Sequence, residues 1–256
     1  MNAIVNPSLA ARLRTLTPAR VGLGRTGVSQ QTRDLLGFQL AHAQARDAVH
    51  AHMGTEVLAA AVGRIDGDPV VQLHSAAGNR TTYLKRPDLG RRLDDASRVS
   101  LREAMKELSG ASELALIVAD GLSALAVERH VPELLTQLLP RLRDWQLGPI
   151  CVVEQGRVAI GDEIGELLGA QLSLVLIGER PGLSSPDSLG AYLTWLPRKG
   201  RTDAERNCIS NIRIEGLSYA EATNQLVFQL SEARRHQLTG VVQKEASRQL
   251  GGASQV

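Results

Sequence analysis

The segment from residue 114 to residue 177 contains three short apolar runs, LALIV (114–118), PICVV (149–153) and LSLVLI (172–177). A stretch with helical patterning separates each run from the next, so the order of elements is β-α-β-α-β. Because hydrophobicity in these runs is nearly continuous rather than alternating, both faces of each strand must be covered, as in a parallel sheet flanked by helices. The sequence therefore predicts the α/β class, with a Rossmann-like parallel sheet.

Three regions follow from the change of pattern along the chain. Residues 1–85 are predicted to form a smaller, mostly helical N-terminal region, and residues 86–244 are predicted to form the α/β domain. Residues 245–256 are rich in Gly, Ser and Gln with little apolar content, so they are predicted to be a flexible tail.

Further elements are predicted around the three apolar runs. The N-terminal region contains a long helix from Gln31 to Met53 and a strand-like run at 70–73, separated by a turn. In the α/β domain, a helix is predicted from Ala124 to Trp145. A fourth strand at 191–196 and a terminal helix at 218–236 complete the prediction.

Composition excludes several classes of function. The formal net charge is +2, from 29 basic and 27 acidic residues, and aromatic residues make up 3%, so a nucleic-acid partner is not expected. The sequence contains no apolar run near the roughly 18 residues that a membrane span needs, and its first residues do not resemble a secretion signal. We therefore expect a cytoplasmic protein without a membrane partner, in which Cys151 and Cys208 are reduced thiols.

Polar, glycine-containing loops follow the three predicted strands. They are DGLS (120–123), EQGRV (154–158) and GERPGLSS (178–185). Because ligands of open α/β sheets bind beyond the carboxyl ends of the strands, these loops predict a crevice for a large polar ligand. The alternative is that their glycines and proline only build turns, with Glu179 paired to a surface arginine.

Other motifs are weaker candidates for chemistry. GLGRTG (22–27) fits G-x-G-x-x-G but lacks a βαβ setting, so we interpret it as an ordinary loop. Three histidines between His42 and His52 lie on one predicted helix and do not form a zinc motif. A hydrolase based on Ser123 or Cys208 would need a histidine base that the sequence does not place, and Ser123 is predicted to cap a helix instead.

Four longer strings carry a family resemblance: RPDLGRRL (86–93), ADGLS (119–123), GERPGLSSPDSLGAYLTW (178–195) and RNCISNI (206–212). With them, the chain from about Pro18 to about Lys244 resembles ethanolamine ammonia-lyase small (light) subunits. That family converts ethanolamine to acetaldehyde and ammonia with adenosylcobalamin as the source of a 5′-deoxyadenosyl radical.

The resemblance implies a division of labour between two chains. A large TIM-barrel subunit binds the substrate and surrounds the upper face of the cobalamin, while the small subunit holds its lower face and nucleotide tail. Val158, Glu179 and Cys208 match the cobalamin-contacting positions, and no catalytic residue and no metal ligand are expected on this chain. The N-terminal region is expected to contact the large subunit in a hetero-oligomer.

Two further expectations follow from the resemblance. The sequence contains no Asp-x-His-x-x-Gly run, so the cofactor is expected to keep its own benzimidazole as lower ligand. Some members carry a long N-terminal extension associated with packaging into a bacterial microcompartment, which this sequence is expected to lack. The alternative function is a stand-alone α/β module that binds a corrinoid or a nucleotide in a regulatory role, without lyase activity.

Overall fold

A six-stranded mixed sheet flanked by helices forms the core of the protein. The structure is a computed structural model that describes residues 7–17, 19–67, 70–106 and 112–241. Its helices are α1 (Pro7–Leu16), α2 (Thr32–His50), α3 (Thr55–Asp66), α4 (Arg80–Lys85), α5 (Asp95–Lys106), α6 (Ala124–Leu138), α7 (Ile160–Leu167) and α8 (Tyr219–His236). Its strands are β1 (Arg25–Thr26), β2 (Ser29–Gln30), β3 (Val70–His74), β4 (Leu114–Ala119), β5 (Ile150–Glu154), β6 (Leu172–Gly178), β7 (Leu189–Trp195) and β8 (Arg206–Ile212). The predicted tail 245–256 lies outside the described residues.

The strand order in the main sheet is β3-β5-β4-β6-β7-β8. Strands β3, β5, β4 and β6 run parallel to one another, whereas β7 is antiparallel to β6 and β8 is antiparallel to β7. The α/β class is thus confirmed, and β4, β5 and β6, the strands of the three apolar runs, are parallel as predicted; the sheet as a whole is mixed, so the Rossmann-like arrangement is not confirmed. A parallel crossover needs a dozen or more residues, and the connection from residue 179 to residue 188 is shorter than that, so β7 must turn back beside β6.

The core has two layers because side chains alternate along each buried strand. In β4, Leu114, Leu116 and Val118 pack towards α3, α6 and α8, while Ala115 and Ile117 pack towards α5 and α7. All six residues of β4 are fully buried, as expected for a central strand covered on both faces. Burial of one such leucine or isoleucine side chain contributes about 1.5–3 kcal/mol.

Helix ends follow local sequence signals. The prediction of one helix to Trp145 is wrong, because α6 ends at Leu138 and a short 3₁₀ turn containing Pro140 follows. Proline lacks the N–H that would continue the helical ladder. At the other end of α6, the Ser123 side chain accepts a hydrogen bond from Ala126 N at 3.2 Å, which confirms the predicted cap.

The N-terminal segment contributes both a strand of the main sheet and an outlying arm. Strand β3 pairs in parallel with β5, at the edge of the sheet. The arm, residues 7–50, consists of α1, the β1–β2 hairpin and α2, and GLGRTG (22–27) leads into this hairpin rather than into a βαβ unit. Large apolar side chains of the arm are exposed: Leu9, Leu13, Leu16, Leu23, Val28, Leu35, Leu36, Phe38 and Leu40.

Neither a membrane-spanning helix nor a cluster of metal-binding side chains occurs in the part of the chain that the structure describes. None of its helices combines the length and the apolar character that a membrane crossing requires. None of its His, Cys, Asp and Glu side chains gather in threes or more in a way that could hold a metal ion.

Candidate functional site

A cleft of about 380 Å³ lies beyond the carboxyl ends of β4 and β6. It contains Val158 and Glu179, two of the three residues that the family resemblance indicated, together with residues from three other segments of the chain. The lining residues are Tyr83, Gly121, Leu122, Arg157, Val158, Ile177, Gly178, Glu179, Arg180 and Tyr192. A second cleft, of about 420 Å³, adjoins it and shares Arg157 and Val158. The predicted crevice at the strand ends is therefore present.

Two glycines allow the floor of the cleft to form from backbone atoms. Gly121 has φ +58°, and a Cβ there would lie 2.2 Å from the carbonyl oxygen of Gly178. A Cβ on Gly178 would lie 2.1 Å from the carbonyl oxygen of Ser123. The loop after β4 thus approaches the end of β6 closely, and Leu122 N donates to Gly178 O at 2.9 Å. A side chain at either position would push the two loops apart.

The Glu179 carboxylate is held at the wall of the cleft by two hydrogen bonds. Its Oε2 accepts from the Ser188 hydroxyl and, at 3.2 Å, from the backbone N–H of Asn211. A Cβ on Gly190 of β7 would lie 2.9 Å from Glu179 Oε1. Because glycine has no side chain, this position leaves the space that the carboxylate occupies. Asn211 has φ +62°, a left-handed conformation that asparagine tolerates better than most residues.

The loop that carries Arg157 and Val158 is fixed by buried groups beneath it. Asp120 Oδ1 accepts from Gly156 N at 3.0 Å, and the Tyr83 hydroxyl donates to Gly156 O at 3.0 Å. Val158 is half-buried two residues before α7, where it presents an apolar surface to both clefts. The backbone on which Val158 stands is therefore held from two sides.

Asp120 is fully buried beside the Arg80 guanidinium. Arg80 Nη1 lies 3.3 Å from Asp120 Oδ2 and donates to Gly121 O at 2.8 Å. Burial is the larger influence on the carboxyl group, and it raises the pKa of Asp120 to about 6 although Arg80 and backbone N–H groups act in the opposite direction. This ion pair ties α4 to the loop after β4.

Two guanidinium groups lie against the ring of Tyr83. The Arg80 and Arg157 Cζ atoms are 4.8 Å and 4.2 Å from the ring centroid, which is cation–π geometry. Burial raises the pKa of the Tyr83 hydroxyl, so it remains a hydrogen-bond donor. Arg157 Nε is buried and makes no hydrogen bond within the described residues, which leaves a donor at the shared wall of the two clefts.

Cys208 lies on β8 and reaches the cleft through Tyr192. The two residues are directly paired between β7 and β8. Burial, followed by the charge and hydrogen bond of the Cys208 thiol, raises the pKa of Tyr192. Cys208 itself is exposed, its Sγ is 3.3 Å from Ser210 Oγ, and it does not line the cleft. The fold thus brings Val158 and Glu179 to one cleft, while Cys208 lies on the neighbouring strand beside Tyr192, which lines that cleft.

Sequence reasoning missed two aromatic residues of this site. Tyr83 and Tyr192 line the cleft but lie outside the three predicted loops, and only the tertiary fold places them beside Arg157 of the predicted loop 154–158. Hydrolase chemistry at Ser123 finds no support, since its hydroxyl donates to Pro186 O at 2.9 Å. The imidazole of His130, on the same helix, instead contacts the Tyr219 hydroxyl at 2.7 Å and Asp187 at 3.5 Å.

Comparison with known proteins gives one consistent result. The family model described as "Ethanolamine ammonia-lyase light chain" matches residues 7–244. The "Ethanolamine ammonia-lyase small subunit" of Pseudomonas aeruginosa (strain LESB58) is 57% identical over 235 residues, which cover 91% of this chain and 86% of the relative. The protein of that name in Xanthomonas campestris pv. campestris (strain B100) is 58% identical over 245 residues, 94% of this chain and 90% of the relative. The one in Pseudomonas fluorescens (strain Pf0-1) is 55% identical over 242 residues, with 94% and 87% covered.

Proposed function

The chain belongs to the ethanolamine ammonia-lyase light-chain family, and from that membership we propose that it is the cofactor-holding subunit of such a lyase. With a large subunit it converts ethanolamine to acetaldehyde and ammonia. Adenosylcobalamin, when bound, supplies the radical chemistry. The observation that carries the proposal is the cleft at the strand ends, which contains the family-matched residues Val158 and Glu179.

The chemistry of the cleft fits a corrinoid. The edge of a corrin ring carries carboxamide side chains, which both donate and accept hydrogen bonds, around an apolar macrocycle. Glu179 offers carboxylate acceptors, the Arg157 guanidinium offers N–H donors, and Val158 and Leu122 offer apolar surface. The whole cofactor is much larger than the cleft, so this chain can enclose only part of it. A second surface must cover the rest, which is the role we assign to the large subunit.

Each of the three family-matched residues has a separate role in this proposal. Glu179 accepts hydrogen bonds from carboxamide or hydroxyl groups of the lower face and nucleotide tail. Val158 packs against apolar parts of the cofactor and excludes water from it. Cys208 acts indirectly, through the hydrogen bond between its thiol and Tyr192, which lines the cleft. No residue of this chain would serve as a ligand of the cobalt or take part in bond cleavage.

The N-terminal arm is the surface that we assign to the large subunit. Its large apolar side chains are exposed, including Leu16 at 81% and Leu36 at 58%, and exposed patches of this kind mark protein contacts. Residues 1–53 contain six arginines and two aspartates, whereas the whole chain has 29 basic and 27 acidic residues. The complementary surface is therefore apolar with an acidic rim. The TIM-barrel identity of the partner and residence in the cytoplasm are further parts of this proposal.

The first experiment measures cobalamin affinity rather than turnover alone. The chain is co-expressed with a large subunit of the family, and adenosylcobalamin binding is measured in the dark by equilibrium dialysis. We expect Glu179→Ala to raise the Kd roughly tenfold, because a charge-assisted hydrogen bond contributes about 1.5–3 kcal/mol. Glu113→Gln, at the opposite end of β4, is the matched control and should leave the Kd unchanged. Unchanged affinity in a folded Glu179→Ala complex would remove Glu179 from the site.

The same preparation separates the lyase subunit from a stand-alone binding module. A lyase subunit must co-purify with the large subunit, and acetaldehyde must form only when both chains are present. A module that binds cobalamin without forming a complex would contradict the lyase assignment.

A further inference from the structure

We propose that Asp187 and Arg213 are positioning residues that clamp the Glu179 carboxylate in the cleft. This inference rests on the proposed role of Glu179 in cofactor binding, and it adds two residues that neither line the cleft nor are among the three cobalamin-contacting positions implied by the family resemblance. They act through Ser188 and Asn211, the two groups that donate hydrogen bonds to Glu179.

The contacts form a closed ring around Glu179. Asn211 N donates to Glu179 Oε2 at 3.2 Å, and Arg213 Nε donates to Asn211 Oδ1 at 3.1 Å. Arg213 Nη1 lies 3.5 Å from Asp187 Oδ1. Asp187 directly precedes Ser188, whose hydroxyl donates to the same Oε2 of Glu179. The β6–β7 loop and the end of β8 are thus joined twice, once at Glu179 and once at the Asp187–Arg213 pair.

The Asp187–Arg213 ion pair is mostly buried rather than exposed on the surface. The Arg213 side chain is 7% exposed and that of Asp187 is 13% exposed. Arg129 on α6 also donates to Asp187 Oδ2 at 3.0 Å, and the His130 imidazole lies 3.5 Å from the same oxygen. The far end of the loop is therefore anchored to helix α6, a rigid element of the core.

Anchoring matters because the loop that carries Glu179, Asp187 and Ser188 has no regular structure from residue 179 to residue 188. A carboxylate at the start of such a loop loses side-chain and backbone freedom when it binds a ligand, and that loss weakens binding. The clamp fixes both donors of Glu179 before the ligand arrives. Asn211, whose φ is +62°, is kept in its left-handed conformation, and its side chain remains available to Arg213.

A double-mutant cycle distinguishes positioning from general structural support. In the complex with the large subunit, the dark Kd for adenosylcobalamin is measured for Asp187→Asn, Arg213→Gln and Asn211→Gly, each with and without Glu179→Gln. Asn211→Gly keeps the backbone N–H and tolerates the positive φ, so it removes only the acceptor of Arg213. Arg213→Lys keeps the charge facing Asp187 but not the Nε donor. Glu113→Gln, which breaks the ion pair with Arg234, is the control.

We expect each clamp variant to raise the Kd roughly fivefold to tenfold when Glu179 is present, and less than about twofold in the Glu179→Gln background. Arg213→Lys should fall between wild type and Arg213→Gln. The kcat at saturating cobalamin should not change, because the clamp acts on cofactor binding. Thermal unfolding of each complex, followed by circular dichroism, identifies any variant that fails to fold, and Asn211→Gly then carries the test.

Equal increases in the Kd with and without Glu179 would show a structural role and overturn the inference. Unchanged affinity in the folded clamp variants would do the same. Failure of the proposed function gives a different result, since the wild-type complex itself would then bind no cobalamin or Glu179→Gln would have no effect.

Discussion

At the scale of single residues, Gly190 determines where the Glu179 carboxylate can lie. A Cβ on Gly190 would meet Glu179 Oε1, Cγ and Cδ at 2.9, 3.0 and 3.2 Å. We expect Gly190→Ala to displace the Glu179 side chain and to raise the cobalamin Kd several-fold, while the fold persists because the contacted atoms belong to a movable side chain. Dialysis measures the Kd, and in the Glu179→Ala background the same substitution should have little effect.

Gly78→Ala is the control for that prediction, because nothing lies within 4 Å of its added Cβ. A Kd that changes equally for Gly78→Ala and Gly190→Ala would argue against the steric explanation.

Asp120 makes stability depend on pH at this same end of the sheet. Its pKa rises from 3.8 to about 6 on folding, because burial disfavours the charged form. The stability linked to this proton is fully present below the unfolded pKa and is lost as the pH rises through about 6. The free energy of unfolding of wild type, relative to that of Asp120→Asn, should therefore fall by up to about 3 kcal/mol between about pH 4 and pH 7.

Urea unfolding of the two proteins at several pH values measures this difference directly. Both lose the same contributions from every other titrating group, so their difference isolates Asp120. A difference that stays constant from about pH 4 to pH 7 would contradict the assignment.

At the scale of elements, α8 begins at a complete capping box. Ser218 Oγ accepts from Glu221 N at 3.3 Å, and Glu221 Oε2 accepts from Ser218 N at 3.3 Å. We expect Ser218→Ala to lower the free energy of unfolding by about 1 kcal/mol, because it leaves helix N–H groups without a partner. Chemical unfolding followed by circular dichroism measures the change. Ser231→Ala in the middle of α8 is the control, since its hydroxyl only contacts the Val227 carbonyl, and an equal loss there would refute the capping explanation.

The central strands could be predicted from the sequence because they are uniformly buried. Every residue of β4 and β6 is buried, and this burial on both faces is why the runs at 114–118 and 172–177 are mainly apolar. Strand β8 was not predicted. Its burial alternates irregularly at the edge of the sheet, so the string RNCISNI contains polar residues that resemble a loop, and Cys208 was indicated by family resemblance alone.

Pairing partners are the part of the fold that local sequence does not contain. The strand order β3-β5-β4-β6-β7-β8 is set by packing between distant segments, and no residue pattern within β3 distinguishes β5 from β4 as a neighbour. The candidate site was predicted to the extent that it follows strand ends, as Val158 and Glu179 do. Tyr83 and Tyr192 could not be predicted, because they reach the cleft from α4 and from the antiparallel extension of the sheet.

At the scale of the whole molecule, substitutions in the arm should weaken association with the large subunit without lowering the stability of the fold. We expect the double substitution Leu16→Gln and Leu36→Gln to leave the thermal midpoint of the isolated chain nearly unchanged, because both side chains are exposed. The affinity for the large subunit should fall roughly tenfold or more, since each leucine buried in an interface contributes about 1.5–3 kcal/mol. Isothermal titration calorimetry measures this affinity.

Val57→Gln is the matched control for the arm, because Val57 is 75% exposed but lies on α3. Equal weakening by Val57→Gln, or none by the arm variant, would place the partner surface elsewhere.

The position of β3 in the sheet also affects how the chain folds during its synthesis. Val70 pairs with Ile150, so β3 leaves the ribosome long before β5, the strand with which it pairs, exists. At roughly 5–20 residues per second, synthesis keeps β3 waiting for several seconds or more. During that time its hydrogen-bonding edge is open to other nascent chains, and a cell that makes this protein quickly must shield the edge or accept aggregation.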